Sequence, residues 1–322
     1  MRARALSLFC ALLALAAPVR AAQLAEAPAV APSEPKPAKT VDQANAPDLA
    51  YGAFQRGYYL TALAEAKKRL AANPKDGVAM TLIGELYDQG LGVAQDQKQA
   101  GHWYEEAAKQ GNVEGIFLYG LAKLTGKGVP QDRAGAAALF TKAAAMNHPG
   151  ALYNLGVLAV ENNGIVPDYS QAADYFRRAA SLGYPDAAYA LALFYREGKG
   201  VPQDDAMAAG WMKRAADQDQ VSAEVEYAIM LFNGVGVGKD ETAAAKLFLK
   251  AAQQQNVVAE DRAARLLAIG RGVPKNLVEA MKWHLLASIA GEKDAWLDGI
   301  FNSLTLQQKI QVEIEVRRAL GR

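Results

Sequence analysis

The pair Ala107-Ala108 returns every 36 residues, as Ala143-Ala144, Ala179-Ala180, Ala215-Ala216, Ala251-Ala252 and Ala287-Ser288. Gly92, Gly128, Gly164, Gly200, Gly236 and Gly272 keep the same interval, and so do Asp96, Asp132, Asp168, Asp204, Asp240 and Asn276. A chain holds such a step through six copies without insertion only when each unit meets its neighbours in the same way. The copies divide as 77–112, 113–148, 149–184, 185–220, 221–256 and 257–292.

Each copy reads as helix, glycine loop, helix. In the first copy Ala79, Leu82, Ile83, Leu86 and Tyr87 form an apolar stripe of helical period. Gly90-Leu91-Gly92 then stops the helix, because glycine accepts the left-handed geometry of a helix end. Asp96 is placed to cap a second helix. Asp168 with Gln171 and Asn276 with Glu279 have capping-box spacing. Pro149 and Pro185 stand where first helices begin, a position that tolerates proline. Small residues recur where helices must touch: Gly84, Gly120, Gly156, Ala192, Ala228 and Ala264. A lone helix pair cannot bury its apolar face, whereas stacked pairs can. The expected fold is all-α, a right-handed α-solenoid of helix-loop-helix repeats, without sheet.

The pattern resembles the Sel1-like repeat family, a relative of the tetratricopeptide repeats. GKGVPQD at 126–132 and again at 198–204, and ALYNLGVL at 151–158, carry the resemblance together with the loops and alanine pairs. Local departures are Asn162 for the first loop glycine of repeat 3, Ala94 and Gly238 where proline is usual, and Asn276 for aspartate. Residues 48–76 read as a tetratricopeptide-like N-terminal cap, with Ala71-Ala72 in phase and Asn73-Pro74 closing it. Residues 293–322 read as a helical C-terminal cap, and both caps should turn a polar face outward.

Ahead of the repeats, Arg2 and Arg4 precede an apolar run from Ala5 to Ala17, followed by Pro18-Val19-Arg20-Ala21-Ala22. A basic start, an apolar centre and a small-residue exit predict a secretory signal peptide over 1–21, cleaved after Ala21. The run is shorter than the roughly 20 residues of a bilayer span, so no span is expected in the mature chain. The single cysteine, Cys10, would leave with it, which suits an oxidising compartment such as the periplasm. Residues 22–47 are rich in alanine and proline and read as a linker.

Chemistry is sparse. No phosphate loop, GxSxG or HExxH motif is present. The GxGV loops recur in every repeat and therefore read as turns. The three histidines occupy different repeat phases: His102 at a variable, solvent-facing position, His148 at an inter-repeat turn, and His284 where Tyr104, Phe140 and Phe248 stand. No catalytic residue, metal site or cofactor is expected from them. A formal charge of +1 gives no basic field for nucleic acid. Some Sel1-like proteins are cysteine-rich and bind or hydrolyse β-lactams, and this chain lacks those cysteines.

The family resemblance implies binding on the concave side, which first helices line. Tetratricopeptide phases then give three rows: Thr81, Phe117, Tyr153, Tyr189, Val225, Asp261; Glu85, Leu121, Val157, Leu193, Ile229, Arg265; and Asp88, Leu124, Val160, Arg196, Phe232, Ala268. The middle repeats are apolar and the end repeats charged, as in a groove for a peptide or helix. Phe117, Tyr153 and Tyr189 are the candidate anchors, and Arg196 and Arg265 the candidate carboxylate contacts. The competing reading buries these rows as internal packing. The expected function is a non-enzymatic scaffold or adaptor of the bacterial envelope, binding a protein or peptide and regulating signalling or exopolysaccharide production. The alternatives are an envelope hydrolase acting on β-lactams or wall fragments, and a peptidoglycan or carbohydrate binder using Tyr153, Tyr189 and Trp211. Trp211 shares a phase with Trp103 and Trp283, which favours packing.

Overall fold

A computed structural model describes residues 48–161 and 166–321, so the expected signal peptide and linker, and the loop at Gly164, lie outside the described residues. The described residues contain 16 helices and no strand. An N-terminal pair, α1 (Leu49–Gln55) and α2 (Tyr59–Ala72), precedes the repeats. The first helices of repeats 1 to 6 are α3 (Gly77–Gln89), α5 (Val113–Thr125), α7 (Pro149–Glu161), α9 (Pro185–Glu197), α11 (Val221–Asn233) and α13 (Val257–Ile269). The second helices are α4 (Gln97–Lys109), α6 (Arg133–Ala145), α8 (Tyr169–Ser181), α10 (Asp205–Ala216), α12 (Glu241–Gln253) and α14 (Leu277–Ile289). α15 (Ala295–Ser303) and α16 (Leu306–Ala319) follow. Each helix through α14 packs on the next, which makes an all-α solenoid.

The repeated residues act as local physics dictates. Asp96, Asp132, Asp168, Asp204, Asp240 and Asn276 each accept a backbone N–H from the first turn of a second helix. Their own N–H groups donate back to the preceding first helix, for example Asp132 to Lys123 O at 2.8 Å and Asp240 to Leu231 O at 2.9 Å. Every loop is thus pinned at the same atom. The capping boxes expected at Asp168 and Asn276 form only their first half. Among the described residues the reciprocal box closes at Thr305 and Gln308.

The loop glycines have two tasks. Gly90, Gly126, Gly198, Gly234 and Gly270 end first helices in the left-handed region. The second glycine of the loop joins repeats. A Cβ on Gly236 would stand 1.9 Å from the carbonyl oxygen of Asp205, in the repeat before it, and Gly128 and Gly200 meet Gln97 and Tyr169 in the same way. Within repeats, Gly84, Gly120 and Gly156 lie against the rings of Tyr104, Phe140 and Phe176, where a Cβ would intrude to 2.5–2.7 Å. The alanine pairs of the second helices are buried throughout.

The C-terminal end departs from the repeat. The cap of α15, Asp294, comes seven residues after Ala287, whereas the cap of α5, Asn112, comes five after Ala107. Both α15 and α16 dock on α14. Leu297, Leu304, Val312 and Val316 close its core. The outer face of α16 is not the polar one expected of a cap: Leu306, Ile310 and Ile314 are exposed, because they lie one helical turn apart on the side away from α14.

Candidate functional site

The three rows on the first helices are neither fully buried nor free. Thr81, Val225, Val160 and Ala268 are buried, and the other members are half-buried. The central row is half-buried in every repeat: Glu85, Leu121, Val157, Leu193, Ile229 and Arg265. Core packing accounts for part of the rows and leaves an apolar strip with access to solvent.

The aromatic anchors serve packing first. Phe117 stacks on His148 with centroids 4.3 Å apart and leans on Phe140 at 5.9 Å. Tyr153 meets Phe176 at 5.6 Å and Tyr184 at 5.2 Å. Each of these four ring contacts lies within one repeat, with His148 and Tyr184 at the turn into the next. Burial pushes the hydroxyls of Tyr153 and Tyr189 up, so both stay protonated donors at neutral pH. Arg196, expected as a carboxylate contact, already donates to Glu226 Oε2 at 2.8 Å and ties repeat 4 to repeat 5. Arg265 lies 2.5 Å from Asp294 Oδ2 and 3.5 Å from Asp261 Oδ2. It therefore joins repeat 6 to the C-terminal cap. Asp294 is lowered by its helix N–H bonds and Arg265, against its own burial, whereas burial raises Asp261, so Asp261 is the member of the pair that keeps its proton longer.

The strip is flanked by charged side chains at both ends. Glu85 and Asp88 of the first repeat gather with Glu114 of the second; burial, then Glu114 and Asp88, push the Glu85 carboxyl up to about 7. The C-terminal end opens into a cleft of about 570 Å³, where arginines stand among the carboxylates of Asp261 and Asp294. Its lining comes from four elements: Ile229, Phe232 and Asn233 of α11, Phe248 of α12, Arg262, Arg265, Leu266 and Ile269 of α13, and Trp296 of α15. Arg271 lies over the Phe232 ring at 4.4 Å, and Arg265 over Trp296 at 5.7 Å. The rows read from the sequence include Ile229, Phe232 and Arg265 but not Trp296, which stands on the cap helix α15 outside the six repeats. Alignment on the capping residues Asn256 and Asp294 sets Trp296 beside Val258, a phase that none of the three rows contains, so no repeat position pointed to it.

The histidines stay apart. His102 is exposed. His148 Nδ1 accepts from Ala151 N at 3.1 Å, so the inter-repeat turn position is the cap of α7. His284 is buried, with Nε2 2.8 Å from Asp298 Oδ1. Among the described residues no cluster of three His, Cys, Asp or Glu is set to hold a metal, and no helix is long and apolar enough to cross a membrane.

The Sel1 repeat family model matches residues 77–112, 113–148, 149–184, 185–220, 221–256 and 257–292. Among solved structures, a Sel1 repeat protein from Oxalobacter formigenes is 31% identical, with 75% of this chain covering 98% of that one at a TM-score of 0.68. A protective antigen of uropathogenic Escherichia coli with an SLR fold is 27% identical at a TM-score of 0.67, with 80% of this chain spanning 56% of its length. Among curated proteins none matches the chain.

Proposed function

Because the chain belongs to the Sel1 repeat family, we propose that it is an adaptor whose first-helix face holds a segment of another protein. Sel1 repeat proteins are generally protein-interaction scaffolds and typically non-catalytic. The central row carries the reading: Leu121, Val157, Leu193 and Ile229 are left half-exposed at the same place in four successive repeats. A solenoid that needed the row only as core would close over it, as it does over the alanine pairs. The acidic cluster around Glu85 and the arginines of the C-terminal cleft would fix the direction of an occupant.

The place of action is the bacterial envelope, most simply the periplasm. The basic, apolar and small-residue order of residues 1–21 supports export. That the similar E. coli protein is a protective antigen is in keeping with it. There the scaffold would hold or inhibit a component of signalling or of exopolysaccharide production. N-terminal sequencing of the protein from a periplasmic fraction should begin at Ala22; a cytoplasmic chain that retains Met1 would contradict export.

Binding is tested with the tagged full-length chain beside its Leu121→Gln/Val157→Thr/Leu193→Gln form, each shown by circular dichroism to keep its helices. An envelope protein recovered by the first and lost by the second supports the face. Equal recovery by both, or no specific protein, counts against it.

A further inference from the structure

The C-terminal cleft has the composition of a site with a defined ligand chemistry. Its walls are apolar and aromatic: Ile229, Phe232, Phe248, Leu266, Ile269 and Trp296. Two of these are unusually open for their size, Ile269 at 52% and Trp296 at 46% exposure. Pockets that enclose a ligand span roughly 300–1,000 Å³, and this one falls inside that range.

The polar groups at its lip differ in what they have left to offer. Arg271 is committed to Glu241 through two bonds, at 2.8 and 2.7 Å. Arg265 sits between Asp261 and Asp294. Arg262 is exposed and makes no hydrogen bond or close ion pair among the described residues, its charge reaching neighbouring Asp261 only at longer range. A guanidinium whose N–H donors are uncommitted beside an apolar cleft suits a carboxylate, which it can grip with two parallel N–H bonds. The cleft also continues the central row, through Ile229 to Leu193 and Val157. An occupant that enters it can extend along the face, which favours a peptide chain over an isolated small molecule.

We propose that this cleft anchors a peptide segment of a protein partner, seating one or two bulky apolar side chains with an Asp or Glu beside them on Arg262. This deepens the adaptor reading and rests on it. The segment's acidic end lies at repeat 6 and its other end runs toward the acidic first repeat.

A random peptide library displayed on phage, panned against the immobilised full-length chain, tests the assignment. Enriched peptides should carry Phe, Leu, Ile or Trp within two positions of Asp or Glu. Synthetic copies should bind about tenfold more weakly to Arg262→Ala, the loss of one charge-assisted contact, and more weakly to Ile269→Asp. Arg262→Glu should select Lys or Arg in place of the acid. Both positions are exposed, so the variants should keep the parent melting temperature. Peptides that lack the acid, or that bind Arg262→Glu and Ile269→Asp as well as the parent, overturn the cleft assignment. If such peptides are lost instead with the Leu121/Val157/Leu193 variant, the adaptor reading survives without the cleft. Failure to enrich any peptide would overturn both.

Discussion

At the residue scale, the same amino acid carries opposite consequences in different places. Gly236 has a left-handed φ of 67° and a neighbouring carbonyl where its Cβ would be, whereas Gly210 lies in α10 with nothing within 4 Å of an added methyl. Gly236→Ala should therefore lose about 2 kcal/mol or more of stability, from strain and a displaced repeat junction. Gly210→Ala should gain about 0.5–1 kcal/mol from the higher helix propensity of alanine. Urea denaturation midpoints measure both, and equal effects would show that the loop glycine is not a junction. Glu85 supplies a second residue-scale expectation. Its folded carboxyl titrates at about 7 because of burial, Glu114 and Asp88, above its ordinary value of 4.5. The folded state thus binds this proton more tightly than the unfolded one, and its share of stability is present in acid and lost as pH rises through 7. Glu85→Gln should remove that loss, raising the melting temperature at about pH 8 relative to the parent and by less at about pH 5. The gain should be about 1–2 kcal/mol, allowing for solvent screening of a half-exposed group. A gain equal at both pH values would contradict the assignment.

At the element scale, helix limits were legible because caps and breakers recur: Asp96 and its equivalents start helices, and Gly90 and its equivalents end them. What was not legible depends on a neighbour. That Gly236 touches Asp205 is a property of two repeats, and sequence offers it only as a turn glycine. His148 as the cap of α7 was hidden because imidazole is an unusual acceptor at a helix start. Trp296 stands on the cap helix at a position that matches none of the repeat rows, so only the packing of α15 brings it to the cleft. α15 and α16 both cover α14, so they should guard the last repeat alone. A chain ending at Gly291 should keep the circular dichroism of its six repeats, yet lose hydrogen-exchange protection in α14 by about tenfold or more, since Met281 and Trp283 lose the cover of Leu297 and Val312. Unchanged protection in α14 would show that the cap contributes nothing to the array.

At the scale of the whole molecule, one 36-residue unit builds both the fold and the candidate site, because a position repeated in sequence becomes a row in space. The row was readable from the family phases. How much of it stays open was not, since that depends on how tightly neighbouring repeats close: Val160 and Ala268 are covered, and Val157 and Leu193 are not. Nor was it readable that Arg196 and Arg265 would spend their charge on Glu226 and Asp294 across repeat junctions. An adaptor of this kind must hold its partner on the first-helix face. The direct measurement is photocrosslinking in the native envelope from a benzophenone amino acid placed singly at Val157, Leu193 and Ile269, and, on second helices, at His102, Asp174 and Lys246. Crosslinks to one protein from the first three sites and none from the last three are predicted. Crosslinks from the second-helix sites alone, or from neither set, would contradict it.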